Sequence, residues 1–247
     1  MRPIIGVTCS FEPSRGDRAP LRSCLNAAYS DAVFAAGGIP YPLPLPPTAN
    51  PTLLGEVLSH CDGLLFTGGA DLDPSAYGQQ KHARTEIMHA RRAAFELEFF
   101  RRADQAGLPI LSICLGCQVT TVCRGGQLVQ HVDDLPRASA VEHYRSDHGS
   151  AFHPVRIEPD SLLARIVGVP ELEVNSRHHQ IVDARQIGGR LRPVAFAPDG
   201  VVEATEDRDG RFLLAVQWHP EDLIDRPEHL RLFEALVDAA GGQSSAR

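Results

Sequence analysis

Through the first half of the chain, short unbroken apolar runs alternate with longer stretches in which apolar residues recur at helical spacing. Residues 3–9 read as a buried strand, residues 25–36 as a helix stopped by Gly37-Gly38, and residues 39–45 as an extended segment whose prolines forbid a helix. A short helix over 51–60 leads into a buried strand at Gly63–Phe66, which ends in Thr67-Gly68-Gly69. The clearest helix spans 90–106: Phe95, Leu97 and Phe99 supply its apolar face, and Gly107 and Pro109 end it. Ile110–Ile113 is the next buried strand. Strands without alternation, separated by helices, point to a parallel sheet covered on both faces.

The second half has a different rhythm. Strands are expected at 129–132, 155–157, 172–174, 194–197, 201–204 and 213–217, with few helices between them, and Pro198-Asp199-Gly200 suits a tight hairpin turn. A helix over 227–240 closes the pattern. The expected fold is therefore α/β: a flavodoxin-like three-layer sandwich with a mostly parallel central sheet and added antiparallel strands in the C-terminal half. A single domain over residues 1–241, followed by a frayed tail at 242–247, accounts for the whole length.

Composition narrows the partners. The 247 residues are 43% hydrophobic and 22% charged, ample for a sizeable core. The formal charge is −7, and the arginine pairs at 91–92 and 101–102 sit among acids and apolar residues rather than in a basic patch. Neither nucleic acid nor an anionic membrane is an expected partner. No apolar run approaches ~18 residues and the first residues lack a signal-peptide core, so a cytoplasmic location is expected. Six cysteines without an export signal read as reduced thiols, not as a disulfide framework.

The chemistry is concentrated at residues 108–118, Leu-Pro-Ile-Leu-Ser-Ile-Cys-Leu-Gly-Cys-Gln. Cys114 and Cys117 admit three readings. A metal site would need Cys123 as well, but on a helix at ~100° per residue Cys123 lies ~180° from Cys114. A redox pair fits the Cys-x-x-Cys spacing, yet the motif follows three strands rather than opening a short thioredoxin-like domain. A nucleophile fits the local architecture: a buried strand runs into a small-residue turn and a helix, with Gly116 allowing close packing. The helix N-terminus there favours thiolate.

Such a nucleophile needs a base and an orienting group. Residues 213–221, Leu-Leu-Ala-Val-Gln-Trp-His-Pro-Glu, offer His219 as the base and Glu221 to hold its tautomer; alone, the same residues read as an ordinary strand end. The glycines after strand 63–66 let backbone N–H groups approach a ligand oxygen, so the Gly69 and Leu115 amides are candidates for an oxyanion site. All three elements sit at carboxyl ends of expected strands, where open α/β sheets carry their sites.

Ile-Cys-Leu-Gly-Cys-Gln together with Gln-Trp-His-Pro-Glu resembles the class I glutamine amidotransferases. Thr67-Gly68-Gly69-Ala70-Asp71-Leu72-Asp73-Pro74 and Asn175-Ser176-Arg177-His178-His179-Gln180 resemble the γ-glutamyl-γ-aminobutyrate hydrolase branch, the peptidase C26 family. The resemblance extends over nearly the whole chain. It implies Cys114 as nucleophile, His219 as base, Glu221 as its orienting carboxylate, Gly69 and Leu115 as oxyanion donors, and Gln118 beside the glutamyl group. The implied reaction is hydrolysis of a γ-glutamyl amide through a thioester, with no metal and no organic cofactor. The branch usually carries Arg where this chain has Leu115, and Met where it has Cys117; Leu is normal among amidotransferases proper. The implied partner is a small γ-glutamyl substrate, and a homodimer is the assembly considered.

Other polar residues have two readings each. His178 and His179 are candidates for the substrate pocket or for a polar loop. Asp71 and Asp73 read the substrate's α-amino group or cap a turn. His143, His148 and His153 are spaced for neither strand nor helix ligation and are expected in a solvated loop. Arg91 and Arg92 are expected in helix-surface ion pairs. The competing functions are a glutaminase component feeding ammonia to a synthetase, and a thiol redox sensor using Cys114 and Cys117.

Overall fold

The computed structural model describes residues 1–13, 20–136, 141–147 and 149–244. Five strands form its parallel half: β1 (Ile4–Thr8), β4 (Ile39–Leu43), β5 (Gly63–Phe66), β6 (Ile110–Ile113) and β13 (Leu213–Val216). Their spatial order is β4-β1-β5-β6-β13, all parallel. In order along the chain this is the 2-1-3-4-5 arrangement of flavodoxin-like folds. The sheet continues antiparallel from β13 through β12 (Val202–Asp207), β11 (Leu191–Phe196), β8 (Ala151–Ile157) and β9 (Glu171–Ser176).

Helices cover both faces. On one side α1 (Ala27–Ala35), α5 (Leu162–Val167) and α6 (Pro227–Ser244) bury Val33, Leu163, Phe233 and Leu236 against Ile5, Leu214 and Trp218. On the other, α2 (Pro51–Ser59), α3 (Ala90–Ala106) and α4 (Leu115–Cys123) bury Leu54, Phe95, Phe99 and Val119 against Leu64, Phe66 and Ile110. The central strands β5, β6 and β13 are buried at every position, which explains their continuous apolar runs. β8 alternates strictly between buried and exposed residues, as a strand with one wet face must. No helix among the described residues is long and apolar enough to cross a membrane.

Several expectations change. Of the 129–132 segment only Val129 is strand, in β7 (Leu128–Val129), whose partner β10 (Ile181–Val182) is itself two residues long. The chain then turns through a short 3-10 segment, Val132–Asp134, that buries Val132 and exposes both acids. The antiparallel ribbon β2 (Ser10–Pro13) with β3 (Leu21–Cys24) carries too few apolar positions, and the six-residue helix α5 is too short, to show periodicity, and the sequence reading misses them. Leu97 is only half-buried; Arg92 and Glu96 take interior positions on α3 instead. The final helix runs to Ser244, past the start of the expected tail, and residues 245–247 lie outside the described residues. At 198–200 the hairpin forms as expected: the Ala197 N–H donates to Val201 O at 2.9 Å, and Gly200 takes φ 84°.

Candidate active site

The segments that follow β5 and β6 line one cleft of about 650 Å³, Gly69, Ala70 and Asp71 from the first and Cys114 from the second. Cys114 stands between β6 and α4 with φ 52°, the one non-glycine residue with positive φ among those described. A buried strand that must become a helix within one residue forces this conformation, and its persistence in a side-chain-bearing residue marks a functional position. Close packing of the turn depends on Gly116. A Cβ there would lie 2.6 Å from the Phe66 carbonyl oxygen, so the first turn of α4 can press against the end of β5 only as glycine. Gly116→Ala is expected to cost about 1–3 kcal/mol in urea unfolding. It should also lower turnover by roughly 10- to 100-fold, because the backbone beneath the thiol moves.

His219 follows β13. Its N–H donates to Asn175 Oδ1 at 3.0 Å, and its Nδ1 lies 2.7 Å from Glu221 Oε1. Pro220 begins a single 3-10 turn that brings Glu221 back under the ring. Burial opposes the imidazolium, but the charges of Glu221 and of Cys114, with hydrogen bonds to both, outweigh it and bring the His219 pKa up to about 10. The two reactive side chains flank one point: a Cβ on Gly68 would be 2.9 Å from His219 Cε1 and 3.5 Å from Cys114 Cβ. Cys114 and His219 are therefore neighbours, although 105 positions separate them.

The raised pKa has a signed consequence for stability. A histidine whose folded pKa lies above its unfolded value of ~6.5 contributes stability that is fully present below that value. The contribution is lost as pH rises through about 10. Thermal unfolding from pH 6 to pH 10.5 should show the wild-type Tm falling on the order of 5 °C more than that of His219→Gln. Parallel curves would refute the coupling.

Next to the thiol, Leu115 is the first residue of α4, so no earlier carbonyl of the helix takes its N–H. Gly69 packs against the Leu115 side chain and the Arg92 guanidinium. Gly69 thus lines the same cleft as Cys114, and Leu115 follows the thiol directly. Gln118 is buried on the next turn of α4, lines the cleft and donates from Nε2 to Gln180 O at 3.3 Å. His179 also lines the cleft, with Nε2 3.0 Å from Asp71 Oδ2. Asp73 instead caps the following 3-10 turn by accepting from the Ser75 N–H.

His178 differs from its neighbour. Its segment borders the cleft, but both ring nitrogens face away from it, Nδ1 toward Gln180 O and Nε2 toward Glu203. His143 and His153 are not solvated either. Both are buried, in contact with the same Glu203, and His148 lies outside the described residues. Cys117 is fully buried and burial drives its thiol pKa far up; Cys123, half-buried, points to Leu97 O. The three thiols do not converge.

The sequence reading misses three supports of the site. Tyr29 accepts the Gly68 N–H at 2.9 Å, and burial followed by the Glu221 charge holds its phenol well above the ordinary value, so it stays protonated. Asn175 fixes the histidine backbone. Arg92 is not at the surface: it is 3% exposed, pairs with fully buried Glu96 at 3.1 Å, and donates to Gly68 O at 2.9 Å. The signal for Arg92 was present, since it falls on the same helical face as Phe95 and Phe99. Arg91 turns its guanidinium to the Leu45 and Pro46 carbonyls and over the Phe11 ring.

Comparison with known proteins agrees with this architecture. The peptidase C26 family model matches residues 3–221. Rv2859c of Mycobacterium tuberculosis, whose name places it provisionally among glutamine amidotransferases, is 40% identical over 98% of this chain and 76% of its own length. The γ-glutamyl-γ-aminobutyrate hydrolase PuuD of Escherichia coli K12 is 31% identical over 89% of this chain and 85% of its own. Among solved structures, a Thermoplasma acidophilum chain described provisionally as belonging to a GMP synthase superposes with a TM-score of 0.65 at 15% identity, over 100% of this chain and 98% of its own, a likeness of fold alone. The chain belongs to the peptidase C26 family, within the class I glutamine amidotransferase-like hydrolases.

Proposed function

We propose that the protein hydrolyses the γ-glutamyl amide bond of a small γ-glutamyl amine, of the γ-glutamyl-γ-aminobutyrate kind, through a cysteine thioester. One observation carries this reading: a cysteine strained at the start of a helix lies beside an imidazole whose other nitrogen is held by a buried carboxylate. The Cys114 thiolate, paired with the His219 imidazolium, attacks the γ-carbonyl carbon. The Leu115 and Gly69 amides hold the oxygen as it becomes negative. His219 then gives its proton to the departing amine, leaving a γ-glutamyl thioester. Water, deprotonated by His219, attacks that thioester and releases glutamate and the free thiol. Glu221 keeps the imidazole oriented and balances its charge. Gln118 and the His179–Asp71 pair sit where the glutamyl α-substituents would be read. No metal or organic cofactor enters these steps.

The test is a hydrolysis screen over γ-glutamyl amides of differing amine, with free glutamine as one member. Release of amine and glutamate from the γ-glutamyl amines at rates well above glutamine is expected. Glutamine cleavage that appears only when cell extract is added would favour instead an ammonia-supplying glutaminase, the reading that Leu115 keeps open. The redox-sensor reading is disfavoured by Cys117, whose buried, protonated thiol is a poor partner for exchange. Cys117→Ser is expected to keep turnover within about threefold of wild type; a loss as deep as that from replacing Cys114 would support the redox account.

A further inference from the structure

Behind the cleft wall, three imidazoles and a carboxylate converge at a place the proposed chemistry does not use. Glu203, fully buried on β12, has its Oε1 3.2 Å from His143 Nδ1, 3.5 Å from His178 Nε2 and 3.7 Å from His153 Nε2. The four side chains come from four segments: residues 141–147, β8, the turn after β9, and β12.

The outer ring nitrogens fix the protonation. His153 Nδ1 lies 3.2 Å from Pro154 O, and His178 Nδ1 lies 3.1 Å from Gln180 O. His143 Nε2 lies 3.0 Å from Asp199 Oδ2. Carbonyl oxygens only accept, and an ionised carboxylate does the same, so each outer nitrogen carries the hydrogen. A neutral imidazole in that tautomer turns a bare lone pair inward. The inner nitrogens of all three histidines and both Glu203 oxygens lack a hydrogen-bond partner. Lone pairs facing lone pairs in a dry interior demand positive charge between them.

Extra protons on the imidazoles would supply it only at the cost of charging rings in the interior. One divalent cation does so with all three rings neutral, and its two charges offset those of Glu203 and Asp199 together. The spacing also fits. A tetrahedron with ~2.1 Å bonds has edges of ~3.4 Å, and rings sharing its centre have centroids roughly 5 Å apart. The ring centroids of His143 and His153 are 4.8 Å apart, and those of His143 and His178 are 5.2 Å apart.

We propose that His143 Nδ1, His153 Nε2 and the Glu203 carboxylate bind one zinc ion, and that His178 Nε2, 3.5 Å from Glu203 Oε1, turns in to complete a tetrahedron. Nitrogen donors with one carboxylate suit zinc, and four protein ligands leave no open position, so the ion is structural. Asp199 and the Gln180 and Pro154 carbonyls are the outer acceptors that orient such histidines. The ion would tie the Arg177-His178-His179 turn, one wall of the cleft, to β8 and β12. This runs against the sequence expectation of no metal.

The full chain, unfolded and refolded with zinc or with EDTA and then desalted, tests the site by elemental analysis. The zinc-refolded protein should hold about one zinc per chain and melt roughly 5–10 °C above the EDTA-refolded form. Refolding with cobalt(II) should give the intense visible bands of a tetrahedral ion. Glu203→Gln and His153→Gln should each weaken zinc retention at least tenfold, and Cys114→Ser should not alter it. If those two variants fail to fold, the wild-type cobalt spectrum still decides. Wild type that leaves the column with under about one-tenth of a zinc, or whose cobalt form lacks tetrahedral bands, overturns the proposal. So does zinc that Cys114→Ser releases, since that ion sits at the thiol.

Discussion

Cys114→Ser is expected to reduce kcat/KM on every γ-glutamyl amide the wild type cleaves by about 10⁴-fold or more, while leaving Tm within a few degrees. Serine preserves volume and the same φ, so the turn between β6 and α4 survives. What it removes is acidity. Thiolate forms readily beside an imidazolium at a helix N-terminus, whereas a hydroxyl gives up its proton only as it attacks. His219, with a pKa of about 10, is a poor acceptor for that purpose, because it is already protonated at neutral pH. The proposed mechanism starts from a pre-formed anion, which serine cannot supply. Rapid quench with a γ-glutamyl amide followed by mass spectrometry should find a glutamyl adduct on Cys114 in the wild type and none in the variant. An adduct on another cysteine, or a variant retaining more than a few per cent of activity, rejects the assignment.

Arg92→Met should lower unfolding stability by about 3–5 kcal/mol, the largest effect expected from any residue that does not touch substrate. The arginine pairs with fully buried Glu96, and removing it leaves a carboxylate without a counter-charge in the apolar layer under α3. Burial already pushes the Glu96 pKa up, with Arg92 acting against it, so without the arginine the carboxyl takes up a proton to stay neutral. For an acid whose folded pKa is raised, stability falls as pH climbs above the unfolded value of ~4.3. The deficit of the variant should therefore be smaller at pH 5 than at pH 8. Adding Glu96→Gln should recover part of it. Activity should fall independently of stability, because the same guanidinium holds the Gly68 carbonyl and so shapes the Gly69 amide's approach to Cys114. A double variant that regains stability but not turnover would separate the two roles; full recovery of both would leave Arg92 a purely structural residue.

The parallel half of the sheet was legible because its strands are buried on both faces, and total burial writes an apolar run that no polar residue interrupts. α3 and Ile110–Ile113 needed no tertiary information, since Gly107 and Pro109 punctuate them. The ribbon of β2 and β3 was silent because an exposed two-stranded ribbon needs no apolar alternation. Of the candidate site, Cys114, His219 and Glu221 could be singled out because each sits where a strand stops, a position that local signals mark. Tyr29 and Asn175 could not. They act through backbone groups of Gly68 and His219, and nothing in their own surroundings records which distant amide or carbonyl they will meet.

Histidine placement shows the same division most sharply. His143 and His153 sit in a polar, proline-bearing stretch that reads as solvent-facing, and the adjacent pair His178-His179 looks equivalent in sequence. By itself the sequence determined the layered α/β fold, the strand ends and the reactive residue types, all of which follow from local periodicity and punctuation. Only the tertiary structure decided that His179 faces the cleft while His178 turns to Glu203. The reason is that the chain leaves β9 at Ser176 and crosses to β10, which pairs with β12, and along that crossing successive side chains point apart, His178 to Glu203 of β12 and His179 to Asp71 after β5. A sequence carries the donors, but convergence at one point depends on which strands become neighbours.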